Sequence, residues 1–130
     1  MNIGTAARES NLPTKTVRYY ADINLVEPEA RSDSGYRQYG EEEVRKLVFI
    51  RRARSFDFSV EECRELLSLF EDHSRSSADV KRITLQKIAK IKQRMSELQR
   101  LHDELAHLAD ACHGDDRPDC PIIDSFAGKS

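Results

Sequence analysis

The side chains best equipped for chemistry are Cys112 and Cys120. They are two of three cysteines in the chain and bracket the segment His113-Gly114-Asp115-Asp116-Arg117-Pro118-Asp119. Thiolates are soft ligands that suit Cu(I), Zn(II) and similar ions. Zinc usually takes four ligands in a tetrahedral array, whereas this segment offers two sulfurs. The pair therefore reads as a sensor or carrier site for a soft monovalent ion. His113 follows the first cysteine directly and leaves a nitrogen ligand open. The third cysteine, Cys63, lies one helical turn before Leu66, Leu67 and Phe70 and reads as a small buried hydrophobe.

The loop follows a long helical segment. From Ser77 to about Ala111 there is neither proline nor glycine. Ser77 reads as its cap, with Asp79 in the first turn. Ile88, Ile91, Met95, Leu98, Leu105 and Ala109 recur at steps of three and four, interrupted by His102. That spacing is a heptad seam. At about 1.5 Å per residue the helix would be roughly 50 Å long. It would overrun a small domain, so its stripe predicts a partner helix, most simply from a second copy of the chain. His102, on the seam, reads as an inter-helix hydrogen-bonding residue.

The N-terminal half reads as short helices around a tight turn. Gly4 to Ser10 forms about two turns, Asn11-Leu12-Pro13-Thr14 a turn, and Thr14 to Ala21 or Asp22 a second helix. This is the helix-turn-helix pattern. Arg31 to Tyr39 contains Ser34-Gly35, a hairpin turn signal, with Tyr36, Arg37 and Tyr39 beyond it. A Tyr/Arg hairpin beside a helix-turn-helix suits a wing that grips phosphates. Glu41-Glu42-Glu43 opens a third helix with Val44, Leu47, Val48 and either Phe49 or Ile50 on its apolar face and Ala53 following, ending at Arg51, Arg52 and Arg54. Ser59-Val60-Glu61-Glu62 is a capping box for a fourth helix to about Phe70. Pro121 to Phe126 reads as a terminal helical turn.

Composition narrows the classes. A chain of 130 residues fits one domain, or a small domain with an extension. Its 38% apolar and 34% charged residues are thin for a lone globule but ordinary for a helical protein that gains apolar burial by dimerising. Residues 1–60 carry 10 Lys and Arg against 9 Asp and Glu, and the remainder 11 against 14, so placement of charge matters more than its sum. No run of 18 apolar residues predicts a membrane span. Met1-Asn2-Ile3-Gly4-Thr5 has neither a basic nor a long apolar stretch, and the cysteine number is odd. Both point to reducing cytoplasm rather than an exported disulfide scaffold. A phosphate loop, a nucleophile-elbow serine and a His-Glu-x-x-His motif are all missing, so an enzyme is not expected.

Val17-Arg18-Tyr19-Tyr20, Asn24-Leu25-Val26, Gly35-Tyr36-Arg37-Gln38-Tyr39 and Ser59-Val60-Glu61-Glu62 together resemble the MerR family of bacterial transcription regulators, over essentially the whole chain. The Cys112–Cys120 loop, with Gly114-Asp115-Asp116 inside it and Pro121-Ile122-Ile123 after it, is similar to the copper efflux branch of that family. Ser77 stands where zinc and mercury sensors of the family carry cysteine.

The resemblance implies a mainly α fold in three parts. A winged helix-turn-helix DNA-binding domain spans 1–70. A connector and long dimerisation helix, an antiparallel coiled coil in the homodimer, spans 71–111. A metal-binding loop and tail spans 112–130. It also implies Cu(I), with Ag(I) or Au(I) as surrogates, held by Cys112 and Cys120, and Ser77 of the partner protomer setting selectivity from the surrounding shell. The homodimer would bind double-stranded promoter DNA and distort an overlong spacer when the ion binds, letting RNA polymerase transcribe copper-homeostasis genes. Lys15 and Arg18 are the expected contacts in the major groove. Tyr20, Tyr36, Arg37 and Arg54 are the expected phosphate grips. A thiol redox sensor and a regulator responding to Zn(II) or another soft metal stay open on the same scaffold.

Overall fold

The structure, a computed structural model, describes residues 1–31, 35 and 37–128. It divides into two compact units, Met1–Val80 and the chain from Lys81 onward. The architecture is mainly helical: a winged helix-turn-helix comes first and a long helix follows.

α1 (Ile3–Ser10) begins at Asn2, whose side chain accepts the Thr5 N–H at 2.9 Å. It ends at Asn11 in the left-handed region, φ 59°, where the Asn11 N–H returns to the carbonyls of Ala7 and Arg8. α2 (Thr14–Asp22) starts behind Pro13, whose carbonyl takes the N–H groups of Thr16 and Val17. Ala6 and Ala7 of α1 and Val17, Tyr20 and Ala21 of α2 are buried. The two small side chains of α1 let the helices approach closely. Buried Ser10 satisfies its hydroxyl internally, donating to the Ala6 carbonyl at 2.8 Å.

β1 (Ala30–Arg31) and β2 (Arg37–Gln38) pair antiparallel, with Ala30 opposite Gln38 and Arg31 opposite Arg37. Gly35, at the hairpin tip, has φ 84°, a conformation that favours glycine. The base of this wing is tied to the N-terminus. The Tyr39 N–H donates to the Met1 carbonyl at 2.7 Å, and the Met1 ammonium donates to the Tyr39 carbonyl at 2.6 Å.

α3 (Glu41–Ser55) starts where the Gly40 N–H donates to the Glu43 carboxylate. Leu47, Ile50 and Ala53 form its buried face. α4 (Val60–Glu71) opens on a complete capping box: Ser59 Oγ accepts the Glu62 N–H at 3.1 Å, and Glu62 returns to the Ser59 N–H at 2.8 Å. Phe49 of α3 stacks on Phe70 of α4 with ring centres 4.6 Å apart. Cys63 is fully buried among these helices.

α5 (Ser77–Ala111) is 35 residues long. Its cap is Ser76 rather than the expected Ser77: Ser76 Oγ accepts the Asp79 N–H at 3.4 Å, which makes Ser77 the first helical residue. The connector before it is pinned by Asp72, whose carboxylate accepts both the N–H and the hydroxyl of Ser74. Along α5, Leu85, Ile88, Met95, Leu98, Leu101 and Leu105 are exposed apolar residues. Leu85 and Leu101 broaden the stripe beyond the seam read from the sequence. α6 (Pro121–Phe126) is a short terminal helix with proline at its first position.

Candidate DNA interface and metal-binding loop

The outward side of α2 follows from its inward side. Val17, Tyr20 and Ala21, spaced i, i+3, i+4, face the core. Thr14, Lys15, Arg18 and Tyr19 are left exposed. Lys15 and Arg18, one turn apart, thus stand together on the open side of the helix.

Tyr20 occupies a different place from the one expected of a phosphate grip. It is only 5% exposed, whereas Tyr19 beside it is 50% exposed. Burial pushes the Tyr20 phenol up, and the positive charge of the nearby Arg54 guanidinium offsets part of that rise. Arg54 donates Nη1–H to the Phe58 carbonyl at 2.9 Å. Tyr20 is therefore a buried ring neighbouring an exposed guanidinium at the end of α3. Across the wing the strand register sets Arg37 opposite Arg31. Tyr36 and the side chain of Arg37 lie outside the described residues.

The arginines at the end of α3 have separate roles. Arg51 donates Nε–H to the Ser10 carbonyl at 3.0 Å, so it caps the C-terminus of α1. Arg52 is exposed.

The cysteine loop is shaped by two local devices. Gly114 takes φ 67°, and Asp115 accepts the Arg117 N–H at 3.0 Å while pairing with its guanidinium at 2.9 Å. Both cysteines are free thiols of intermediate exposure. The Cys120 thiol is held below its ordinary value: the amide of Ile123 leads, then the amide of Ile122 and the Cys112 thiol, against some desolvation. The sulfur makes no conventional cap hydrogen bond, so the amides act on it mainly as oriented dipoles. The Cys112 thiol adds a smaller lowering influence on Cys120, so the two soft donors face the same end of the loop. His113 is exposed beside them, and Ser77 is exposed at the start of α5. Among the described residues, no group of three or more His, Cys, Asp and Glu side chains has an arrangement that could hold a metal ion. No helix among them is long and apolar enough to cross a membrane.

Residues 1–69 match the family described as MerR HTH family regulatory protein, and residues 44–108 the family described as MerR, DNA binding. The chain belongs to the MerR family. Members of this family are DNA-binding transcription regulators, not enzymes. Among its relatives, the HTH-type transcriptional regulator HmrR of Rhizobium leguminosarum bv. viciae is 52% identical over 98% of both chains. The HTH-type transcriptional regulator CueR of Salmonella typhimurium is 47% identical over 98% of this chain and 93% of its own. The transcription regulator PbrR691 from Ralstonia metallidurans CH34, solved in complex with lead(II), is similar in structure: TM-score 0.83, 32% identity, covering 97% of this chain and 98% of that one.

In this MerR-family chain two features around α2 carry no plain sequence signal of their own. Tyr19, not Tyr20, is the exposed tyrosine of α2, and the phase of Val17 and Ala21 carried that signal. Arg64 reaches from α4 to the end of α2, for which no short-range pattern exists.

Proposed function

We propose that this MerR-family chain is a Cu(I)-responsive regulator, acting in the cytoplasm as a homodimer on promoter DNA. Cys112 and Cys120 would hold the ion. The observation that carries the reading is a pair of free, partly exposed thiols at the two ends of one loop, folded by Gly114 and the Asp115–Arg117 pair. Their chemistry fits a soft ion, and two thiolates around a monovalent ion leave a site of net charge −1. The names of the relatives HmrR and CueR fit a metal-regulator branch. Ser77 of the partner protomer would stand near the loop in the dimer, offering a hydroxyl in place of a third thiolate.

Lys15 and Arg18 would enter the major groove, and Tyr36, Arg37 and Arg54 would hold phosphates. Tyr20 would act through Arg54. The exposed apolar stripe of α5 would pair with its copy in an antiparallel coiled coil. The homodimer would hold an overlong promoter spacer, and the ion-loaded form would distort it so that RNA polymerase meets both promoter elements. Ion binding works such a switch only by its different affinity for the two dimer shapes.

Anaerobic titration of the reduced protein with Cu(I) against a competing chelator, with Zn(II) and Pb(II) in parallel and X-ray absorption on the loaded form, tests this. One Cu(I) per protomer with two sulfur neighbours is expected. Tighter Zn(II) or Pb(II) binding, or a nitrogen neighbour from His113, would reassign the effector. The same pair of free thiols favours a second reading, oxidation to a Cys112–Cys120 disulfide in which the two thiols give two electrons and two protons to a peroxide, reduced to water or alcohol. Switching of transcription by oxidant in metal-free protein would select it.

A further inference from the structure

Backbone packing in the N-terminal unit is densest from α2 to α1, from α1 to α3 and from α3 to α4. α2 has no comparable backbone packing against α4. What joins them is side chains, and one of these reaches the backbone of the α2 terminus. Arg64 of α4 donates Nη2–H to the Ile23 carbonyl at 2.9 Å and Nη1–H to the Asn24 carbonyl at 3.1 Å. Ile23 is the residue that closes α2, and Asn24 follows it in the left-handed region at φ 59°. Glu61, one turn earlier on α4, holds the Arg64 Nε at 3.4 Å.

Three physical points make this more than a surface contact. The guanidinium fork offers donors in a fixed plane, so gripping two successive carbonyls restricts the direction of the helix end as well as its distance. A cation there complements the helix dipole and gives a donor to the carbonyl of the cap residue and to the one after it. The grip also lies at the opposite end of α2 from Lys15. A small rotation about α1, its main packing partner, would therefore move Lys15 and Arg18 unless the far end is held.

We propose that Arg64 is a positioning residue for DNA reading: from α4 it fixes the direction in which α2 presents Lys15 and Arg18, without contacting DNA itself. The inference rests on α2 being the helix that reads DNA. A residue that orients the reading helix affects binding to a preferred sequence more than binding to arbitrary DNA, because phosphate attraction tolerates small changes of pose.

The test uses the full chain. A duplex is enriched by the wild-type protein from a random-sequence pool, and a scrambled duplex of equal length serves as reference. Dissociation constants are measured by fluorescence anisotropy across a KCl series for wild type, Arg64→Gln and Arg64→Lys. Arg64→Gln is expected to weaken binding to the enriched duplex by about tenfold and to the scrambled duplex by less than about twofold, with an unchanged slope of log Kd against log salt. Arg64→Lys, which keeps the charge but not the fork, is expected to recover part of the loss, and it carries the test should Arg64→Gln fold poorly. A salt slope reduced by about one would make Arg64 a phosphate contact and overturn the proposal. A lowered Tm with both duplexes bound as by wild type would make it a stabilising cap only. If the wild-type protein enriches no sequence, the reading role of α2 fails, and the inference with it.

Discussion

Leu98 gives the sharpest test of the dimer. It is 62% exposed on α5, with Met95 at 63% one turn before and Leu105 at 51% two turns after. A stripe of this kind on a helix of 35 residues needs a cover. Truncating Leu98→Ala removes the outer carbons of the side chain. Covering those carbons is worth about 1–1.5 kcal/mol per copy at the usual value per buried area. A symmetric dimer contains the position twice, so association should weaken by about 2–3 kcal/mol, roughly 30- to 150-fold in the dimer Kd. Sedimentation equilibrium over a wide concentration range measures this directly. Gln93→Ala is the control: Gln93 is exposed and lies off the seam, and its dimer Kd should stay within about twofold of wild type. A wild-type chain that stays monomeric at tens of micromolar, or a Leu98→Ala variant that dimerises as tightly as wild type, would refute the reasoning. The stripe would then need another cover.

Replacing Cys112 or Cys120 by serine leaves one soft donor, so each variant should lose high-affinity Cu(I) binding in chelator competition while its circular dichroism and duplex binding match wild type. Ser59→Ala opens the capping box of α4 and should cost about 1 kcal/mol, read as a lower urea midpoint with an unchanged m-value. Tyr20 is held neutral by burial. Its folded-state pKa lies above the unfolded one, so this contribution is complete below the ordinary tyrosine value and is lost as pH rises through the folded pKa. Tyr20→Phe should flatten that alkaline loss in urea titrations.

What was legible in the sequence was local. The Ser59–Glu62 box, the proline before α2, the acidic opening of α3 and the unbroken run of α5 each depend on residues within a turn of one another, and each element formed where those signals stand. The cysteine pair was legible as a donor set. Its meeting with the amides of Ile122 and Ile123 required Pro121 to start a helix directly behind Cys120. Where local signals competed, the reading slipped by one residue. Ser76 and Ser77 are equivalent candidates until a hydrogen bond chooses between them. Tyr19 and Tyr20 are equivalent until the helical phase set by Val17 and Ala21 is applied.

The contacts that hold the DNA-reading motif in place are of another kind. Arg51 reaches the Ser10 carbonyl across 41 positions of sequence, and Arg64 reaches Ile23 across the same separation. Both put a guanidinium on carbonyls at the end of one of the two helices of the helix-turn-helix, from a different supporting helix in each case. No spacing rule distinguishes such an arginine from the solvated ones on the same helix, since what selects it is where a distant helix ends. A helix-turn-helix needs only local signals to form. On the proposal for Arg64, the direction of α2 depends on a cation from a distant helix, and Arg64→Gln should weaken binding to the enriched duplex while leaving the helices intact.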